Sequence, residues 1–136
     1  MQKLFHFDSP VEEYRADACV LTCIDARFEL VTRKFLRRRG VEIYDQIKIP
    51  GSTRALADPA SEGDRDFVLR MVAISMARHG SARMILTAHK NCGGYLGRPP
   101  EEAIAGISRA AEVIRGAQPS LAIESYFFDF DGVYQV

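Results

Sequence analysis

Apolar residues in this chain fall into short runs and longer periodic stretches, and the two kinds alternate. Ala18 to Cys23 is an apolar run without polar alternation, which predicts a strand covered on both faces. Phe28 to Arg39 places Phe28, Leu30, Val31, Phe35 and Leu36 among basic residues and stops at Gly40, the pattern of a helix with a basic last turn. Val41 to Ile49 reads as a second strand closed by Pro50-Gly51, and 51–63 as a polar loop punctuated by Gly and Pro. Asp64 or Asp66 then caps a helix that ends at His79-Gly80. Arg83 to Ala88 is a third strand, and Pro99-Pro100-Glu101-Glu102 opens a further helix. Leu121 to Phe130 is a fourth strand, turning at Asp131-Gly132 into a short Val133–Val136. Upstream, Asp8-Ser9-Pro10 resembles a helix cap and predicts a short helix ending near Arg15.

Strand, helix, strand, helix, strand, helix, strand is the order of an α/β fold, a mostly parallel central sheet flanked by helices. No repeat or linker divides it, so residues 1–136 form one domain, with 1–17 as a short N-terminal arm. Hydrophobic residues are 47% and charged residues 26% of the chain, a globular composition that argues against disorder. Eighteen basic residues balance eighteen acidic ones, so no overall field favours nucleic acid or an anionic membrane. The basic run Arg33 to Arg39 has apolar residues at helical spacing and reads as a solvated helix face. No apolar run is long enough to span a bilayer and no signal-peptide pattern is visible, so the expected location is cytoplasmic. Three cysteines do not make a disulfide framework; in a reducing compartment they are core thiols, metal ligands or nucleophiles.

Candidate chemistry lies at two strand ends. Cys23, Asp25 and Arg27 occupy alternate positions and share one face if extended geometry persists through Arg27. Alternatively, Cys23 is a core thiol and Asp25–Arg27 an ion pair closing the strand. At the end of the third strand stands His89-Lys90-Asn91-Cys92-Gly93-Gly94. Ligands of parallel sheets bind at strand carboxyl ends where strand order reverses. If strands one and three are neighbours, Cys23, His89 and Cys92 meet there. Two thiolates and an imidazole suit zinc, and three protein ligands leave a tetrahedral position open.

Cys23-Ile24-Asp25-Ala26-Arg27 together with His89-Lys90-Asn91-Cys92-Gly93-Gly94 resembles the paired signature of the β-class carbonic anhydrases. The resemblance runs from about Ala18 to the last strand, in the same element order. It implies Zn2+ on Cys23, His89 and Cys92. It also implies that Asp25 accepts a hydrogen bond from zinc-bound hydroxide, or fills the fourth position in a closed state, while Arg27 holds Asp25 off the metal. The implied activity is reversible hydration of carbon dioxide to bicarbonate, by a homodimer or higher homo-oligomer.

The chain departs from that family in particular places. Pro50-Gly51-Ser52-Thr53-Arg54-Ala55-Leu56 replaces the usual segment after strand two. The arm is cut to about fifteen residues, and the Gln-containing segment that usually precedes the first motif and contacts substrate has no clear equivalent in it. These changes spare the metal residues and fall on the substrate pocket. They leave room for a hydrolase of carbonyl sulfide or carbon disulfide, and for a non-catalytic zinc-holding domain that binds a small anion or partner.

A different enzymatic reading is the Cys92-x5-Arg98 run, the spacing of cysteine phosphatase and sulfurtransferase-like loops. Tyr95 and the amide-less Pro99-Pro100 count against it. Cys19, deeper in the first strand, reads as a core thiol and His79 as a helix-end cation. His6 has no partner in view. Ser52 and Arg54 lie near the predicted site and are candidate anion contacts. Phe127, Phe128 and Phe130 read as sheet residues packing a core or a dimer interface.

Overall fold

The computed structural model describes residues 1–136. Five strands form one sheet in the order β2-β1-β3-β4-β5: β1 Ala18–Thr22, β2 Tyr44–Lys48, β3 Arg83–His89, β4 Ala122–Asp129 and β5 Gly132–Gln135. The first four are parallel and β5 returns antiparallel to β4. The order reverses between β1 and β3, so the carboxyl ends of those two strands flank the switch point.

The helices are α1 Glu29–Arg38, α2 Arg54–Ala57, α3 Glu62–His79 and α4 Pro100–Ala117. Alternation along β1 divides the core between the two sheet faces. Cys19 and Leu21 join Leu56 of α2, Val68 and Val72 of α3, and Ile107 and Ile114 of α4. Ala18 and Val20 face the other way, onto Leu36 of α1 and Phe28. Both faces are covered, so β1 is buried along its whole length and β3 from Met84 to His89. The basic residues of α1 are exposed while Thr32 and Leu36 are buried, as the solvated-face reading expects.

Three expectations are corrected. Residues 8–15 form no helix. The cap-like Asp8-Ser9-Pro10 has no apolar face to dock, since Val11 is fully exposed, and a helix that short does not hold itself in water. The loop 51–63 contains α2, formed because Ala55 and Leu56 are buried against the core. Extended geometry ends before Arg27: β1 stops at Thr22, and Ala26–Phe28 make a 3-10 turn. His79 does lie in the last turn of α3, yet it is tied to a strand, with its Nδ1 2.8 Å from Asp45 Oδ2 of β2.

Candidate metal centre

The loops after β1, β2 and β3 meet at the switch point, and backbone contacts fix their spacing. Thr87 of β3 donates its hydroxyl to the Leu21 carbonyl of β1 at 2.8 Å. Ser52, in the loop after β2, donates to the Thr87 carbonyl at 2.6 Å, with the Leu21 carbonyl at 3.2 Å. The Ser52 hydroxyl is thereby committed to the backbone, not to an anion. Gly51 and Gly94 touch: a Cβ on Gly94 would lie 2.4 Å from the Gly51 Cα. Arg54 donates from Nη1 to the Gly94 carbonyl, so it too staples loops together.

In this frame Cys23, His89 and Cys92 converge, with one ligand-type atom from each lying within 4.8 Å of the others. The two Sγ atoms are 3.7 Å apart. Two bonds of about 2.3 Å to a tetrahedral ion give a sulfur–sulfur edge of about 3.8 Å, so the thiols already stand at the separation that zinc requires. Nδ1 of His89 lies 2.9 Å from the Lys90 carbonyl, which assigns the ring proton to Nδ1 and turns the Nε2 lone pair inward. That Nε2 is buried and has no hydrogen-bond partner. An orphaned buried acceptor facing two thiols fits a soft divalent metal. The group can hold a metal ion.

The electrostatics agree. Cys23 is held down to about 4, first by the hydrogen bond from the Cys92 thiol, against burial and with further help from His89 and backbone amides. Cys92 is pushed up by Cys23 and by burial. The two sulfurs thus share one proton, and an ion between them would displace it. His89 resists charge through burial, but the Cys23 sulfur and the Lys90 carbonyl outweigh that and raise it.

Asp25 and Arg27 reach the same place by a turn, not by strand alternation. Asp25 caps the 3-10 turn, accepting the Arg27 amide at 3.0 Å. The Arg27 side chain grips the same carboxylate from Nε at 3.0 Å and from Nη2 at 2.6 Å. This grip, more than any other contact, holds Asp25 down to about 2, so it is ionised at neutral pH. Asp25 Oδ2 lies 3.8 Å from His89 Nε2, beside the cluster and turned onto Arg27. A cavity of about 10 Å³ opens among Cys23, Asp25, Phe28, Gln46, Thr87 and His89, room for about one water. A larger one of about 280 Å³ lies on the Cys92 side, lined by Tyr95, Leu96, Arg98 and Pro100 among others.

The remaining candidates fall elsewhere. Cys19 is fully buried and pushed up to about 11 by burial, a core thiol as expected. His6 is exposed beside Lys3 and Asp8. Arg98 pairs with Asp58 at 2.5 Å. The loop amides of Tyr95, Leu96 and Arg98 are spent on the Cys92, Gly93 and Tyr95 carbonyls, so the phosphatase-like cradle does not form. Phe127 and Phe128 are buried in the sheet, while Phe130 is exposed at the β4–β5 turn. Sequence reasoning passed over Phe28, Gln46 and Thr87, which line the small cavity. Phe28 comes in on the 3-10 turn that follows Asp25, and Gln46 and Thr87 through the pairing of β2 and β3 with β1.

The family model described as "Putative carbonic anhydrase" matches residues 14–136. The chain belongs to that family. Solved structures of similar fold include a β-carbonic anhydrase of Trichomonas vaginalis, with TM-score 0.67 and 14% identity over 96% of this chain and 87% of that one. A carbonic anhydrase from Streptococcus mutans gives TM-score 0.65 and 14% identity over 97% and 87%. A carbon disulfide hydrolase in its apo form gives 0.56 and 14% over 90% and 80%. No curated protein matches by sequence. These likenesses agree with the expected fold: a β-carbonic anhydrase-like α/β domain with a mostly parallel sheet.

Proposed function

We propose that this member of the carbonic anhydrase family binds one zinc ion through Cys23, His89 and Cys92 and catalyses the reversible hydration of carbon dioxide to bicarbonate. The observation that supports it is the arrangement of two thiols 3.7 Å apart around an unpartnered, buried imidazole nitrogen, with an ionised carboxylate beside them. When bound, zinc makes water a competent nucleophile near neutral pH. Asp25 supplies a hydrogen-bond acceptor toward the fourth position. Arg27 keeps that carboxylate ionised and turned away from the ion, so the position stays open. The Lys90 carbonyl fixes the ring of His89, and Phe28 packs on its face at 4.5 Å between ring centroids.

No helix of the chain is long and apolar enough to cross a membrane. The arm leaves Leu4, Phe5, Phe7 and Val11 exposed, apolar surface that supports assembly as a homodimer or higher homo-oligomer.

The test is metal analysis of the purified protein with stopped-flow carbon dioxide hydration, using Cys92→Ser as control. One zinc per chain and hydration that both disappear in Cys92→Ser are expected. Stoichiometric zinc without hydration removes the carbonic anhydrase activity and leaves a zinc-holding domain, to be assayed next with carbon disulfide and carbonyl sulfide. Absence of metal overturns the site itself.

A further inference from the structure

Arg27 is held by more than Asp25. Its side chain is about half exposed, at 51%, a setting in which a guanidinium ordinarily samples many rotamers. Here its Nη2 also donates to the Asn91 carbonyl at 3.2 Å, in the loop that carries Cys92. Two aromatic rings flank it: its Cζ lies 5.8 Å from the Phe28 centroid and 5.3 Å from that of Phe130. The rings lie 5.4 Å apart, tilted by 36°. Phe28 is buried and belongs to the core under α1. Phe130 is a large apolar side chain left 57% exposed at the tip of the β4–β5 hairpin.

That tip is anchored toward the site. The Phe130 amide donates to Asp129 Oδ1 at 2.7 Å, and Asp129 Oδ2 accepts from Lys90 Nζ at 2.8 Å. Lys90 follows His89 directly, so one ion pair ties the hairpin tip to the segment that bears two of the three metal-ligand candidates. Three separate segments therefore converge on one guanidinium: the turn after β1, the loop after β3 and the tip between β4 and β5.

We propose that Phe130 is a positioning residue, whose ring holds the Arg27 guanidinium against Asp25 and so keeps Asp25 turned off the fourth metal position. The inference rests on the roles given above to Asp25 and Arg27. Phe130 touches neither the ligand cluster nor the cavity; it acts through Arg27.

The experiment compares Phe130→Leu, which keeps apolar bulk but loses the π face, with Phe130→Tyr, which keeps the face. The direct readout is solvent exchange of the Arg27 Nε–H, followed by NMR in the zinc-loaded protein. A single exposed cation–π contact corresponds to about a two- to fivefold change in population. Exchange two- to fivefold faster in Phe130→Leu, and near the wild-type rate in Phe130→Tyr, is expected. The matching fall in carbon dioxide hydration should appear in kcat, with KM unchanged. Far-ultraviolet circular dichroism guards against a folding effect, which the exposure of Phe130 makes small.

Unchanged exchange in Phe130→Leu overturns the proposal. So does faster exchange with unaltered kcat in a protein that hydrates carbon dioxide. The expected exchange pattern across the variants, with no hydration by the wild-type protein, leaves the ring's hold on Arg27 standing and removes the catalytic reading alone.

Discussion

Gly93 and Gly94 are adjacent and chemically identical, yet the structure asks very different things of them. A Cβ on Gly94 would lie 2.4 Å from the Gly51 Cα and 2.8 Å from the Gly51 amide nitrogen, whereas a Cβ on Gly93 would meet nothing within 4 Å. Ordinary carbon contact begins near 3.4 Å, so Gly94→Ala must drive two backbone segments apart by about 1 Å (3.4 − 2.4). No side-chain rotation relieves that, because both partners are backbone. Overpacking of this kind costs about 1–3 kcal/mol, or a drop in Tm of roughly 3–12 °C for a domain of this size. The displaced loop carries Cys92, so the sulfur–sulfur separation opens as well. Each 1.4 kcal/mol lost at the site then lowers zinc affinity about tenfold.

The assay is thermal unfolding of the metal-free protein, paired with chelator competition for zinc in Gly94→Ala and Gly93→Ala. Gly93→Ala should stay within about 0.5 kcal/mol of wild type, as ordinary surface changes do. Equal behaviour of the two variants would refute the claim that the Gly51–Gly94 contact sets the spacing of the metal loop.

Arg27→Lys keeps the charge but loses the two-pronged grip on Asp25; hydration should fall by about 10–100-fold, in keeping with the loss of an outer partner, while zinc content stays at one per chain. Burial opposes the charge of Asp45, but its hydrogen bonds with Tyr14 and His79 outweigh that and lower it. A carboxylate lowered on folding stabilises the protein above its unfolded value, and this is lost as pH falls through the folded one. Asp45→Asn should therefore lower stability at pH 7 and flatten the decline below about pH 4, measured by urea unfolding across pH.

Much of the molecule was legible from its residues. Apolar runs beginning at Ala18 and Met84 declare strands buried on both faces. Periodicity and Gly80 mark the long helix α3, and the helix–strand alternation implies a parallel sheet. Cys23, His89 and Cys92 followed from residue chemistry and from their position at strand ends, because two thiols and an imidazole have few other uses together. These are local properties: burial period, turn chemistry and donor type are written into neighbouring residues.

Other features depend on contacts between residues far apart in the chain. Whether 8–15 folds into a helix hangs on a docking partner that the cap signal does not reveal. Whether Arg27 faces Asp25 depends on a 3-10 turn closed by the Asp25 side chain, where strand alternation would have served only by persisting. The need for glycine at 94 but not at 93 arises from Gly51, more than forty residues away. The aromatic hold on Arg27 comes from Phe130, a hundred residues on. The sequence by itself determined the layers of the fold and the donors of the site. Tertiary structure alone decided their spacing and who restrains them, because those are set by contacts between segments far apart in the chain, Gly51 on Gly94 and Phe130 on Arg27, which leave no trace in the local pattern of either segment.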